Sequence, residues 1–381
     1  MKIIIDGSIY SSAPSGGIYR YFNELIPRLS AFPDTEVKIF TQKQSAEIPI
    51  GNHIEITRDN LPTGSWLPEG SLKRFLRSHK RNLQSYILQK KFSGLKDSVF
   101  HSSYYTPSPW SSIAQVVTIH DMISEIFTET YNLAHVRALR ESKAKCLKTA
   151  SRVIAISEQT KKDLQKVYNI PASHIDVIYH GVDFDYFSRV QSPIRQKEIL
   201  EKHSLNRPYF LFVGGRLHHK NFKGLLKAFA HSKISNDFVL AVAGTPWNEE
   251  ELSLINSLGV ASKLIWMPTL EENELSTVYQ KAQALALPSY YEGFGLPLIE
   301  AMAAGCPVLA SNSGPFPELS QDAALLFNPF NENKIEQAME AIVKPTTRTE
   351  LIEAGKKRAK VFSWDLSAQQ HFESYSKALK K

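Results

Sequence analysis

Short unbroken apolar runs recur along the whole chain, and stretches with helical periodicity separate many of them. Residues 3–6, 37–41, 98–101, 115–120, 152–157 and 175–179 form a first series of such runs. Residues 209–214, 238–244, 263–267, 284–288, 307–311 and 324–327 form a second. Val, Ile, Leu and Phe dominate both, with little polar alternation, which is the pattern of strands covered on both faces. Strands of this kind alternating with helices predict βαβ units and parallel sheets. Ser157 ahead of Glu158-Gln159-Thr160 predicts a capped helix reaching Tyr168, which Pro171 then stops. Pro297 falls where a first helical turn would begin. The last stretch, 364–381, has a helical pattern and no strand after it.

The two series divide at a charged, irregular stretch, 184–208, which reads as a linker ending in the turn Asn206-Arg207-Pro208. The expected organisation is therefore one nucleotide-binding-type domain over 1–185 and a second over 186–363. The length of 381 residues suits two cores better than one. Two such sheets facing each other would place a cleft at the carboxyl ends of their strands. Hydrophobic residues at 43% and charged residues at 22% fit a globular chain. No apolar run approaches the ~18 residues of a membrane-spanning helix. Met1-Lys2-Ile3-Ile4-Ile5-Asp6 turns acidic too soon for a leader and reads as a first strand, so a cytoplasmic location is expected. Cys146 and Cys306 are far apart and outside any metal-ligand spacing, and they are expected to be reduced thiols. The net charge of +7 favours anionic partners. Without a zinc-finger spacing or an RNA-binding aromatic signature, nucleic acid is not the expected one.

Two strand-to-helix loops concentrate the chemistry. Glu292-Gly293-Phe294-Gly295-Leu296-Pro297-Leu298-Ile299-Glu300 follows a buried strand and leads into a helix. Loop amides at a helix start favour an anion, and Gly293 and Gly295 would let backbone approach a ligand closely. Glu300, in the first helical turn, can accept from both hydroxyls of a ribose. Glu292, in the loop, can accept from sugar hydroxyls. Singly, Glu300 would read as a helix-dipole carboxylate and Glu292 as a solvated one, and it is the strand-loop-helix setting that reverses this. Gly214-Gly215-Arg216-Leu217-His218-His219-Lys220-Asn221 occupies a matching position after an earlier strand. Arg216 and Lys220 there can hold a diphosphate and stabilise charge as it departs, a role often filled by a metal. The plainer alternative is a solvated basic loop with Asn221 as helix cap.

Taken together, the two loops resemble the donor site of glycosyltransferase family 4, whose members have the GT-B fold. Ala155-Ile156-Ser157-Glu158-Gln159-Thr160-Lys161-Lys162-Asp163-Leu164 and Val177-Ile178-Tyr179-His180-Gly181-Val182-Asp183 extend the likeness over nearly the full chain. The resemblance implies an α/β architecture of two Rossmann-like domains, with 364–381 packing back on the first. It implies that Arg216 and Lys220 grip the donor diphosphate and that Glu300 holds the ribose. Glu292 would contact the donor sugar, beside the amides of Phe294, Gly295 and Leu296. Gly16-Gly17 is similar to the family's glycine loop over the diphosphate, although two glycines also make an ordinary turn. His120 matches a family histidine near the sugar, where a strand-end histidine is otherwise structural.

The implied reaction is retaining transfer of a sugar from a nucleotide-diphosphate donor to an α-linkage, with no cofactor and no metal. Gly16-Gly17-Ile18-Tyr19-Arg20-Tyr21-Phe22 and Thr118-Ile119-His120-Asp121-Met122-Ile123 are similar to a bacterial subgroup rich in mannosyltransferases of surface-polysaccharide assembly. GDP-mannose is the expected donor, and a glycan or polyprenyl-linked glycan the expected acceptor. Asp183-Phe184-Asp185 fits a two-aspartate metal pattern but lies in the domain-exit segment. Neither glycine loop fits the three-glycine dinucleotide fingerprint. The stretch 71–96 carries Lys73, Arg74, Arg77, Lys80, Arg81, Lys90, Lys91 and Lys96 without an acid. It is expected either to touch the inner membrane surface peripherally or to be a solvated helix face. Two other classes fit the same architecture: a sugar-nucleotide epimerase, and a donor-binding assembly subunit that transfers nothing.

Overall fold

A computed structural model describes residues 1–12, 16–42, 47–51, 53–59, 95, 97–131 and 133–380. They divide into two compact units. The first comprises Met1–Ile156, Thr160–Tyr179 and Trp364–Lys381, and the second comprises Ser157–Gln159 and His180–Ser363. The chain passes from the first unit to the second after Tyr179.

In the first unit the described strands are β1 (Lys2–Ile5), β2 (Glu36–Gln42), β3 (Ile54–Asp59), β4 (Ser98–Ser102), β5 (Ala114–Ile119), β6 (Arg152–Ala155) and β7 (Ile175–Val177). They form one sheet in the order β3-β2-β1-β4-β5-β6-β7, parallel at every pairing. Strands β1, β4 and β5 are almost wholly buried, as their apolar runs demand. The order reverses between β1 and β4. The helix Gly17–Ser30 buries Tyr21, Phe22, Leu25, Ile26 and Leu29. The C-terminal helix, Trp364–Leu379, packs against it and against β4, β5 and β6.

The second unit has β8 (Tyr209–Val213), β9 (Val239–Ala243), β10 (Leu264–Met267), β11 (Ala284–Leu287), β12 (Val308–Ser311) and β13 (Leu325–Phe327). Their order is β10-β9-β8-β11-β12-β13, again parallel throughout. Its core gathers Phe210, Phe212, Leu225, Phe229, Val242 and Met339, among others. Here the order reverses between β8 and β11, which pair directly through Ala284 with Phe210 and Leu285 with Leu211.

Two expectations need correction. The stretch 184–208 is not an irregular linker. It holds the helices Phe184–Ser188 and Pro193–Lys202, with Phe187 fully buried. Asp183 caps the first, accepting from the Tyr186 N–H at 2.9 Å, and Ser192 caps the second with Pro193 in its first turn. Its charges sit on helix surfaces around that apolar anchor. Strand β3 was also missed, because at the sheet edge Ile54, Ile56 and Thr57 alternate with the exposed Glu55 and Arg58.

Candidate functional site

The loops leaving β8 and β11 lie side by side, because those strands are neighbours at the sheet's reversal point. That is where open parallel sheets bind ligands. A backbone bond from the Tyr290 N–H to the His219 carbonyl, 2.7 Å, ties the two loops together. Across this junction Lys220 Nζ donates to both oxygens of Glu292, at 2.6 and 2.7 Å. Ser289 Oγ donates to Glu292 Oε1 at 2.7 Å. The Glu292 side chain is 10% exposed and that of Lys220 26%, so the pair is shielded yet within reach of a ligand. These contacts use two of the three ammonium N–H bonds and three of about four carboxylate lone-pair sites. One ammonium N–H bond and one carboxylate lone-pair site remain by this count.

Glu300 sits in the helix Leu296–Ala304 and is 5% exposed. The buried Tyr279 hydroxyl donates to its Oε2 at 3.1 Å. Phe294 turns its ring inward, edge-on to His180 at 4.8 Å. Gly295 has φ +113°, and a Cβ there would stand 2.7 Å from the Phe316 ring. The glycine is thus required by its backbone angle and by Phe316. Gly293 gives its carbonyl to Ser157 Oγ at 2.9 Å. Leu296 opens the helix, with Pro297 in the first turn.

Arg216 is held by the segment after β9. Its Nε and Nη2 donate to the Glu251 carboxylate at 2.7 and 2.9 Å. Nη1 and Nη2 donate to the Thr245 and Pro246 carbonyls at 2.8 and 2.7 Å. The guanidinium lies 4.6 Å from the Trp247 ring centroid, and the side chain is 3% exposed. Four of the five guanidinium N–H bonds therefore have protein partners in this structure. Glu251 belongs to a capping box with Asn248. The Asn-x-x-Glu spacing was a legible helix signal, but nothing in it pointed to Arg216. Asn221 does not cap by its side chain. It adopts φ +49° and its amide donates to the Pro329 carbonyl at 2.9 Å. Ser289, Tyr279, Glu251 and Trp247 were all missed in the sequence. Only Ser289, three residues before Glu292, carried a local hint.

In the first unit, Gly16 and Gly17 are exposed at the start of the helix Gly17–Ser30, and Gly16 takes φ +94°. His120 follows β5 and is 7% exposed, its ring edge-on to Tyr21 at 5.1 Å. Asp183 acts as the helix cap described above. Among the described residues no three His, Cys, Asp or Glu side chains cluster as metal ligands, and no helix is long and apolar enough to cross a membrane. Cys146 and Cys306 are both buried free thiols, each pushed up to about 12 chiefly by burial. Apart from Leu95, the basic stretch 71–96 lies outside the described residues.

Comparison with known proteins gives a consistent picture. Residues 15–186 match the model described as Glycosyltransferase Family 4, and residues 195–358 match Glycosyl transferases group 1. O-antigen chain mannosyltransferase B of Escherichia coli is 28% identical, over 95% of this chain and 96% of its own. O-antigen chain mannosyltransferase RfbU of Salmonella typhimurium is 30% identical over 60% of each chain. A sucrose-phosphate synthase structure from Thermosynechococcus elongatus superposes with a TM-score of 0.76 at 21% identity, covering 98% of both chains.

Proposed function

We propose, since this chain belongs to the glycosyltransferases of family 4 with the GT-B fold, that it transfers mannose from GDP-mannose to a glycan or polyprenyl-linked glycan, with retention and without a metal. The observation that carries the reading is the Lys220–Glu292 pair at the reversal point of the second sheet. Lys220 supplies the cation for the leaving diphosphate, and Glu292 accepts from hydroxyls of the transferred sugar. Glu300, oriented by Tyr279, holds the ribose. The similarity to O-antigen chain mannosyltransferases supports mannose and surface-polysaccharide assembly.

In the reaction the bond from the anomeric carbon to the diphosphate oxygen breaks. The bond to the acceptor oxygen forms on the same face, and the acceptor proton passes to the departing diphosphate. Fixed charge aimed at the leaving group lowers the barrier because it needs no reorganisation. Gly16-Gly17, exposed at a helix start, is assigned to the diphosphate as well, and His120 to the sugar and acceptor. Arg216 shapes the loop that carries Lys220. The enzyme would work at the cytoplasmic face of the membrane, touching it peripherally.

Mass spectrometry of products from a panel of nucleotide sugars, offered with lipid-linked acceptors in excess chelator, tests the proposal. A single added hexose from GDP-mannose, α-linked by NMR, is expected. Strict metal dependence or a β-linkage would contradict it, and donor turnover without any acceptor would favour an epimerase.

A further inference from the structure

Behind His120 lies a buried ionic cluster that the reaction scheme does not use. Lys143, on the helix Ala134–Thr149, has a side chain only 1% exposed, and its partner Glu125 one only 4% exposed. Lys143 Nζ donates to Glu125 Oε2 at 3.0 Å and to the Asp121 carbonyl at 2.9 Å. The same ammonium lies 5.1 Å from the Tyr105 ring centroid. Glu125 also accepts from Ser124 Oγ at 2.8 Å and from the Tyr168 hydroxyl at 2.9 Å. Tyr105 is 5% exposed and holds φ +57°, an unusual angle for a bulky residue and a strained one. Its hydroxyl receives the His120 backbone N–H at 3.4 Å.

A lysine–glutamate pair is a poor way merely to fasten helices to a sheet. Burying two charges costs more than burying apolar side chains of the same volume, and replacing such pairs by apolar residues is often neutral or stabilising. What the pair offers instead is direction. Its contacts, through Tyr105 and the Asp121 carbonyl, converge on the backbone of His120 and Asp121, just past the end of β5.

We propose that Lys143 and Glu125, acting through Tyr105 and the Asp121 carbonyl, are positioning residues that fix the backbone carrying His120 for sugar transfer. The assignment rests on the role given to His120 above. Neither residue touches donor or acceptor. A displacement of about 1 Å at a reacting group costs on the order of 100-fold in rate, so the pair governs kcat rather than affinity.

The test uses the full-length double variant Lys143→Met/Glu125→Leu, with Tyr105→Phe as a milder second variant. Melting temperature, calorimetric affinity for GDP-mannose, kcat, KM and the imidazole NMR signals of His120 are measured. The double variant is expected to fold with a melting point at or above that of the parent and to bind donor with unchanged affinity. Its kcat should fall about 10- to 100-fold, with displaced His120 signals. Tyr105→Phe should give a smaller fall in the same quantity, and Lys143→Arg should recover part of the loss. Parental kcat in a folded double variant would overturn the proposal. If the double variant does not fold, parental kcat and His120 signals in Tyr105→Phe would overturn it equally. Should the parent transfer no sugar at all, the functional reading fails while the NMR signals still decide the positioning claim. Unmoved His120 resonances in the variants would then refute it.

Discussion

Lys220 and Glu292 stand 72 positions apart in the chain and 2.6 Å apart in the structure. Their chemistry was legible because each follows a buried strand and precedes a helix. Their direct pairing was not, since it depends on β8 and β11 being neighbours, which no local pattern encodes. The same limit explains Arg216. Its place in the loop suggested a phosphate ligand, but the Glu251 carboxylate and two carbonyls come from the segment after β9. Two substitutions separate these roles. Lys220→Met should lower kcat/KM by roughly 100- to 1000-fold, measured by steady-state transfer, while the melting point stays within a few degrees of the parent. Arg216→Met should instead destabilise the second unit by about 3–5 kcal/mol, because it leaves Glu251 buried without its partner. Denaturant unfolding reads this directly. A stable Arg216→Met protein that had lost only turnover would return Arg216 to the diphosphate.

Among the elements, the C-terminal helix was readable from periodicity, but the polar chain that fastens it was not. Ser367's carbonyl can only accept, so His371 Nδ1, 2.6 Å away, carries its proton. His371 Nε2 then accepts from the Tyr21 hydroxyl. Tyr21 in turn accepts from Thr118 at 3.0 Å, Thr118 from His101 Nε2 at 2.9 Å, and His101 Nδ1 from Tyr375 at 2.6 Å. This donor-to-acceptor order along the chain holds only while both histidines are neutral. Burial depresses both, His371 to about 4 and His101 well below its usual range. Nearby Asp176 works in the opposite sense on His371. In the unfolded chain a histidine takes up its proton near pH 6.5, whereas folded His371 resists until about 4. The stability is therefore complete above pH 6.5 and is lost as pH falls towards 4, by roughly 3 kcal/mol from His371 alone. Urea unfolding between pH 7 and pH 4 should show this slope, and His371→Gln should flatten it. An equally steep slope in that variant would assign the acid sensitivity elsewhere. Strand β3 marks the complementary limit, because an edge strand alternates and escapes a search for continuous apolar runs.

For the whole molecule, the alternation of strands and helices announced two parallel sheets, and both are present with a single reversal point each. The second series of apolar runs maps strand for strand onto β8 to β13, since strands covered on both faces must be apolar throughout. Organisation around 184–208 was harder to read, because charged residues on helix surfaces look like linker when the buried apolar residues, Phe187, Ile199 and Leu205, are widely spaced in sequence. Donor binding should be visible in the stability of the whole chain. GDP-mannose at 100 times its Kd should add about 2.7 kcal/mol to unfolding in the presence of chelator, as a rise in melting temperature that Lys220→Met lacks.

The pair at the reversal point of the second sheet is tested most directly by calorimetric titration of GDP-mannose into the parent, Lys220→Met and Glu292→Gln proteins, each first shown to be folded. The account predicts a loss of affinity of at least about 10-fold in each variant, worth about 1.4 kcal/mol. Parental affinity in both folded variants would place the donor elsewhere on the molecule.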